Sequence, residues 1–300
     1  MSIIISIADI HGNYSLAKKA VEDVAERAGF DNFSVEGSAN VNAGLVVLGD
    51  AFDRGPENEK SLDFALAKAS GRGVYLAGNH EFFVMFPDVS TDFLSSSYLS
   101  GSDSSGLYWR YMSESKREKL LEAVAAGNLK ATHDGENYSY VHAGAPKTDN
   151  KELNNLLLEA GEKLLSAHQQ SQERYEEVQR EIMDLVETEN GRELESERYG
   201  DLFRVCRNSK GNIEEGGAVW RRFKTLPEDS SRQVIGHTKI ASVDTEDIPP
   251  SRGQTLNINS IRDYKAGRAD GILISVERPE LFQILQWNHG NVEEVFREEF

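Results

Sequence analysis

Five short segments place carboxylate, imidazole, amide and guanidinium groups just after apolar runs: Asp9-Ile10-His11-Gly12, Gly49-Asp50-Ala51-Phe52-Asp53-Arg54-Gly55, Gly78-Asn79-His80-Glu81, His142-Ala143-Gly144 and Gly236-His237-Thr238. They take four of the seven histidines in the chain, which concentrates ring nitrogens where a single site would need them. Asp-x-His at a strand exit sets a carboxylate and an imidazole on one side of the chain, because residues two apart face alike in extended backbone. Asp50 and Asp53 flank a tight turn in which Gly49 and Gly55 permit unusual backbone angles. Singly, each segment also reads as an ordinary turn with a capping Asp or a satisfied histidine. Together they offer hard and borderline donors with no thiolate among them, a donor set that fits two divalent cations.

On that reading Asp50 bridges the two ions, Asp9 and His11 complete one sphere, and Asn79, His142 and His237 complete the other. Ions about 4 Å apart share a water, lower its pKa and hold the attacking and leaving oxygens of an in-line displacement at phosphorus. The bridging water is therefore the expected nucleophile. Manganese is the first expectation for the ions, while Fe, Zn and Mg also tolerate His and carboxylate ligands. Arg54 is a fork of donors suited to phosphate oxygens, and Arg221 or Arg222 would close the clamp. His80 would protonate the leaving alkoxide, with Asp53 on its other ring nitrogen keeping it cationic. The bland alternatives are a structural salt bridge for Arg54 and a packing role for His80.

The runs that precede these segments, 3–7, 45–48, 73–76, 138–141 and 233–235, are short and β-branched or aromatic, which predicts buried strands. In an open α/β sheet the crevice at the carboxyl ends of the strands is where ligands bind, so five sets of donors converge. Residues 14–28 carry Leu16, Ala20, Val21, Val24 and Ala28 at helical spacing, with Gly29 as a stop signal. Residues 57–69 make a second helix with Leu62, Ala65, Leu66 and Ala69 on one side. This alternation marks βαβ units.

With 39% hydrophobic residues in 300, the chain can bury a core of one large α/β domain or two small ones. One domain over 1–300 is expected, because the segments only make sense together. Residues 150–189 are charged and helical, with Leu153, Leu157, Leu164, Tyr175, Val178, Ile182 and Leu185 spaced for one apolar face. They read as a helical hairpin within an insertion over 150–216, either packed on the body or serving as a substrate-selecting cap or docking element. Residues 90–106 are rich in Ser and Gly and read as a long loop or lid. The runs 256–259, 271–276 and 282–285 read as strands of an antiparallel portion.

The net charge of −17 argues against a sequence-independent grip on nucleic acid, which needs Lys and Arg along a phosphate track. Cys206 is the single cysteine, so no intramolecular disulfide forms and a reducing compartment is expected. No apolar stretch approaches the roughly 20 residues of a membrane span, and no signal-like segment precedes the first strand. A soluble, cytoplasmic protein with no membrane partner is the expectation.

Residues 8 to 238 resemble the calcineurin-like metallophosphoesterases, and within them the phosphoprotein phosphatase group of Ser/Thr phosphatases, phage phosphatases and bacterial dinucleoside-tetraphosphate hydrolases. The signature of that group, GDxHG, GDxxDRG, GNHE, HGG or HAG, and a late GH, stands here as ADIHG, GDAFDRG, GNHE, HAG and GH in the same order. The resemblance implies an α/β sandwich of two central mixed sheets flanked by helices, with the site in the loops above. It implies Asp9, His11 and Asp50 on one metal, and Asp50, Asn79, His142 and His237 on the other. Arg54 and a second arginine would hold phosphate, and the Trp-x-Arg pattern of bacterial and phage members points to Arg222. His80 with Asp53 would be the acid dyad. Ala8 replaces the usual first Gly, Asn259 stands where many bacterial members carry Asp, and 150–216 is longer and more helical than a minimal core.

The expected activity is dinuclear metal-dependent hydrolysis of phosphomonoesters in one step, first on phosphoserine or phosphothreonine in proteins, then on phosphotyrosine or a small phosphoester. The runner-up is hydrolysis of dinucleoside polyphosphates, such as diadenosine tetraphosphate, or of RNA caps, with Tyr98, Tyr108 or Trp109 as a stacking platform. A non-catalytic binding module is a third reading, opposed by the complete ligand set.

Overall fold

Ile3–Ala8 forms the first strand, β1, buried from Ile4 onward, as a mostly β-branched run with a single polar interruption requires. The computed structural model describes residues 3–31, 33–36, 43–71, 73–89, 107–145, 149–186, 199–204, 208–209, 212–213, 216–240 and 249–300. The further strands are β2 (Ala43–Leu48), β3 (Val74–Leu76), β4 (Leu129–Lys130), β5 (Thr132–Asp134), β6 (Ser139–Val141), β7 (Asn208–Ser209), β8 (Asn212–Ile213), β9 (Gln233–Ile235), β10 (Ser251–Arg252), β11 (Thr255–Asn257), β12 (Ile272–Arg278), β13 (Leu281–Asn288) and β14 (Asn291–Glu299). The helices are α1 (Tyr14–Arg27), α2 (Asn58–Ala69), α3 (Asn79–Met85), α4 (Glu114–Ala125), α5 (Asn150–His168), α6 (Gln172–Asp184), α7 (Gly200–Phe203) and α8 (Ile261–Lys265).

Two mixed sheets carry the molecule, in the orders β14-β13-β12-β1-β2-β3-β4 and β10-β11-β9-β6-β5. In the first, β1 to β4 run parallel, with Ile7 opposite Val47 and Val47 opposite Tyr75. In the second, β6, β9 and β11 are parallel to one another. The sheets meet through one apolar layer in which Ile4, Val46 and Leu76 face Tyr140, Val234 and Leu256. The outer face of the first sheet packs on helices, with Ala20 and Val24 of α1 and Leu62 of α2 in the same cluster as Ile5 and Val47. The result is the expected α/β sandwich; the loops after β1, β2, β6 and β9 hold four of the five segments, and the third opens α3 directly after β3.

Helix α5 starts at Asp149, whose side chain accepts from Lys151 N, and α6 starts at Ser171, which accepts from Arg174 N. Such caps satisfy amides that the first turn leaves open. The hairpin is fastened to the body: Asn154 Oδ1 accepts from Ala131 N and Thr132 N at 2.8 and 3.1 Å, and Tyr175 donates to Met85 O at 2.8 Å. Residues 90–106, read as a loop or lid, lie outside the described residues, as do 187–198.

Helix α4 and strands β4, β5 and β10 lie where the sequence reading named no element, and two further details depart from it. Strand β11 is parallel to β9 and antiparallel only to β10. Strand β14 was not foreseen, because a bulge opposite Ile284 and Leu285 shifts its alternation and its residues are largely charged.

Candidate active site

The loops after β1 and β2 are stitched together by His11 N donating to Asp50 O and Gly12 N donating to Ala51 O, both at 2.9 Å. Gly55 is required there, because a Cβ would meet the His11 carbonyl. Gly236 is required on the opposite side, where a Cβ would meet the Asp9 carboxylate. Asp9, His11, Asp50, Asp53, Arg54 and His237 all have φ between 47° and 71°. Among the described non-glycine residues only His289 shares that conformation elsewhere. Left-handed backbone costs about 1–2 kcal/mol per residue, so its concentration here marks a site that the surrounding bonds over-determine.

Asp50 is the centre. It is 2% exposed, and its carboxylate oxygens lie 3.7 Å from His11 Nε2, 3.7 Å from His80 Nε2 and 3.6 Å from His142 Nε2. His80 N also donates to it at 3.0 Å. On one side, His11 Nε2 is 3.9 Å from Asp9 Oδ1. On the other, Asn79 Oδ1 lies 3.2 Å from His142 Nε2 and 2.9 Å from His237 Nδ1, and the two ring nitrogens are 3.2 Å apart. Ligand atoms of His11, Asp50 and His80 fall within 4.8 Å of one another, as do those of Asp50, His142 and His237. The shared member of both groups is Asp50.

The donor chemistry fits cations on both sides. His142 Nδ1 lies 2.8 Å from Leu48 O and His11 Nδ1 lies 3.2 Å from Phe52 O. A carbonyl accepts only from a protonated nitrogen, so in the neutral ring each Nδ1 carries the proton and Nε2 turns its lone pair to the site. Burial, followed by like-charged neighbours, holds His11 and His237 well below the ordinary imidazole range. Burial and then Asp50 push Asp9 well above the usual carboxylate range. Asp9 Oδ1 is buried without a hydrogen-bond partner. Burial works against the charge on Asp50 too, but His80, His142 and His11 outweigh it and hold its pKa down.

The rim carries the remaining groups. His80 is 1% exposed, with Nδ1 2.5 Å from Asp53 Oδ2 and Nε2 3.2 Å from Arg54 Nη2. Burial opposes its imidazolium, but Asp50 and then Asp53 outweigh that and raise its pKa. Trp109 N donates to Asp53 Oδ1 at 2.9 Å, fixing the carboxylate on both oxygens. Arg221 is 4% exposed and its Nε donates to Gly216 O at 3.0 Å, whereas Arg222 is half-buried and its charge reaches His237. The stacking platform is not borne out for Trp109, which is 3% exposed and packed against Phe83 at 5.6 Å. Tyr108 is partly buried against the core and donates to Glu59, and Tyr98 lies outside the described residues.

The sequence reading gave Glu81 no role. Its oxygens accept from Asp50 N, Gly78 N and Ala51 N at 2.8, 2.8 and 3.1 Å and from Tyr75 OH at 2.5 Å. It thereby ties the Asp50 turn to the start of α3. Its position three residues after Gly78 is that of the acid in a capping box, the one local signal available. Glu81→Ala leaves four buried donors unpaired, each worth about 1–3 kcal/mol when unsatisfied, and is expected to lower the midpoint of urea unfolding.

A family model described as calcineurin-like phosphoesterase matches residues 3–205. No curated protein matches the chain. Among solved structures, a cold-active protein tyrosine phosphatase is similar with TM-score 0.55 at 15% identity, over 98% of this chain and 78% of that chain. The cold-active protein-tyrosine phosphatase of a psychrophilic Shewanella species gives 0.52 at 15%, over 99% and 81%. A putative diadenosine tetraphosphatase gives 0.42 at 14%, over 98% and 93%.

Proposed function

Because the chain belongs to the calcineurin-like phosphoesterase family and is a phosphoric ester hydrolase, we propose that it is a protein phosphatase that takes phosphate from phosphoserine and phosphothreonine, and phosphotyrosine second. The observation that carries the metal-dependent chemistry is Asp50, one buried carboxylate common to two groups of ligand atoms. Asp9, His11 and Asp50 would hold one divalent ion, and Asp50, Asn79, His142 and His237 the other, with manganese the first choice. Such ions supply Lewis acidity toward phosphoryl oxygens and acidify water at neutral pH.

The chain's own residues do the rest. Arg54 and Arg222 bind the phosphate oxygens and orient the ester. A phosphate that accepts from Arg54 draws the guanidinium away from His80 Nε2. That nitrogen is then free to carry the proton delivered to the leaving oxygen, while Asp53 holds the ring and stabilises its charge. Among the described residues no helix is long and apolar enough to cross a membrane, and a reducing cytoplasm suits a chain whose single cysteine is Cys206.

The test is phosphate release by metal-stripped protein after Mn²⁺ is restored, comparing phosphoserine, phosphothreonine and phosphotyrosine peptides with diadenosine tetraphosphate at one low concentration. A kcat/KM at least about tenfold higher on peptides, a difference of about 1.4 kcal/mol, supports the reading. Preference for the dinucleotide overturns it.

A further inference from the structure

We propose that Thr238 and Asn257 are positioning residues that hold Arg222 in register with His237, an inference that rests on the phosphatase reading and on Arg222 as a phosphate ligand. Phe223 N, the amide that follows Arg222, donates to Thr238 Oγ1 at 3.1 Å. Thr238 follows His237 directly, and its carbonyl accepts from Asn257 Nδ2 at 2.7 Å. Asn257 is fully buried at the end of β11, and its Oδ1 accepts from Asn259 N at 3.0 Å, so both halves of its amide are engaged.

The two segments are each fixed on their own side as well. Thr238 N donates to Gly236 O at 2.7 Å, closing a three-residue turn with His237 at its apex and φ 59°. Arg222 O accepts from Thr225 N and Thr225 Oγ1, both at 2.8 Å. The peptide after Arg222 is therefore held at its carbonyl by Thr225 and at its amide by Thr238. His237 N is fixed in turn by Asp9 Oδ2 at 2.9 Å. A long arginine side chain finds phosphate only as well as its backbone is aimed, since the side chain itself has many rotamers to lose. The Thr238 hydroxyl is the bond that relates that aim to the metal-ligand turn.

Thr238→Val keeps the shape and removes the acceptor, leaving Phe223 N unpaired. Thr238→Ser keeps the acceptor. The experiment measures KM and kcat on an aryl phosphate monoester, the Ki of inorganic phosphate, and bound metal by elemental analysis. The proteins are wild type, both Thr238 variants, Arg222→Ala, and Arg222→Ala combined with Thr238→Val. Thr238→Val is expected to raise KM and Ki about tenfold, with kcat within about threefold and metal content unchanged. Thr238→Ser is expected to stay near wild type, and Thr238→Val to add little on top of Arg222→Ala. Asn257→Ala, which takes the donor from Thr238 O, is expected to act in the same direction. If Thr238→Val does not fold, Thr238→Ala is measured in its place.

Wild-type phosphate affinity in Thr238→Val, with a loss in Arg222→Ala, overturns the positioning role and leaves the arginine in place. Wild-type phosphate affinity in Arg222→Ala removes the arginine as a ligand, and the positioning role falls with it. Loss of metal in Thr238→Val shows that Thr238 serves His237 alone, which also overturns the proposal.

Discussion

Asp50→Asn is expected to lose bound metal and to leave less than about a thousandth of wild-type turnover. The substitution keeps size and one carbonyl oxygen but removes the negative charge around which the site is arranged. Three imidazoles surround that carboxylate at 3.6 to 3.7 Å. Asp9 cannot replace it, because its carboxylate lies on the His11 side of the site, with Oδ1 3.9 Å from His11 Nε2. A neutral amide at the centre leaves both ligand groups without their common member. The check is elemental analysis beside phosphate release, with circular dichroism to show that the fold persists. Native metal content in Asp50→Asn would end its assignment as the shared ligand.

His80→Asn is expected to retain most of the metal and to lose kcat by about 10²–10⁴-fold on an alkyl ester such as a phosphoserine peptide. The loss should be far smaller on p-nitrophenyl phosphate, whose leaving group departs as a stable anion without a proton. The leaving-group contrast separates proton delivery from a structural role, which would lower both rates alike. Asp53→Asn should follow the same pattern more weakly, because Asp53 touches the ring at 2.5 Å rather than the substrate. Near-native turnover of the alkyl ester by His80→Asn would sink the acid role.

Much of this was legible because each candidate ligand announces itself by type beside a strand end. Asp9, His11, Asp50, Asn79, His142 and His237 needed no knowledge of packing to be chosen, and the parallel ladders that bring them together follow from β-branched runs alternating with helices. What stayed hidden depends on distant partners. Glu81 looks like one more surface acid until three amides from two loops are found to point at it. Arg221 and Arg222 are neighbours of the same type, and only the turn they occupy sends Arg221 to a backbone carbonyl while Arg222 stays half-buried. Trp109 carries the same ring whether it stacks on a ligand or packs against Phe83, and the sequence has no sign of which. Strand β14 escaped because one extra residue in a bulge erased its period.

The bond from His237 N to Asp9 Oδ2 joins residues 228 positions apart. At a synthesis rate of roughly 5–20 residues per second, about 10–45 s separate the emergence of the two from the ribosome. A nascent chain that has made the first three segments already displays Asp9, Asp50 and His80 but lacks His142 and His237. If the proposed ligand set is the working one, the growing polypeptide is silent toward phosphoesters until the second sheet is nearly complete, and a product released early by a stalled ribosome carries only part of the site.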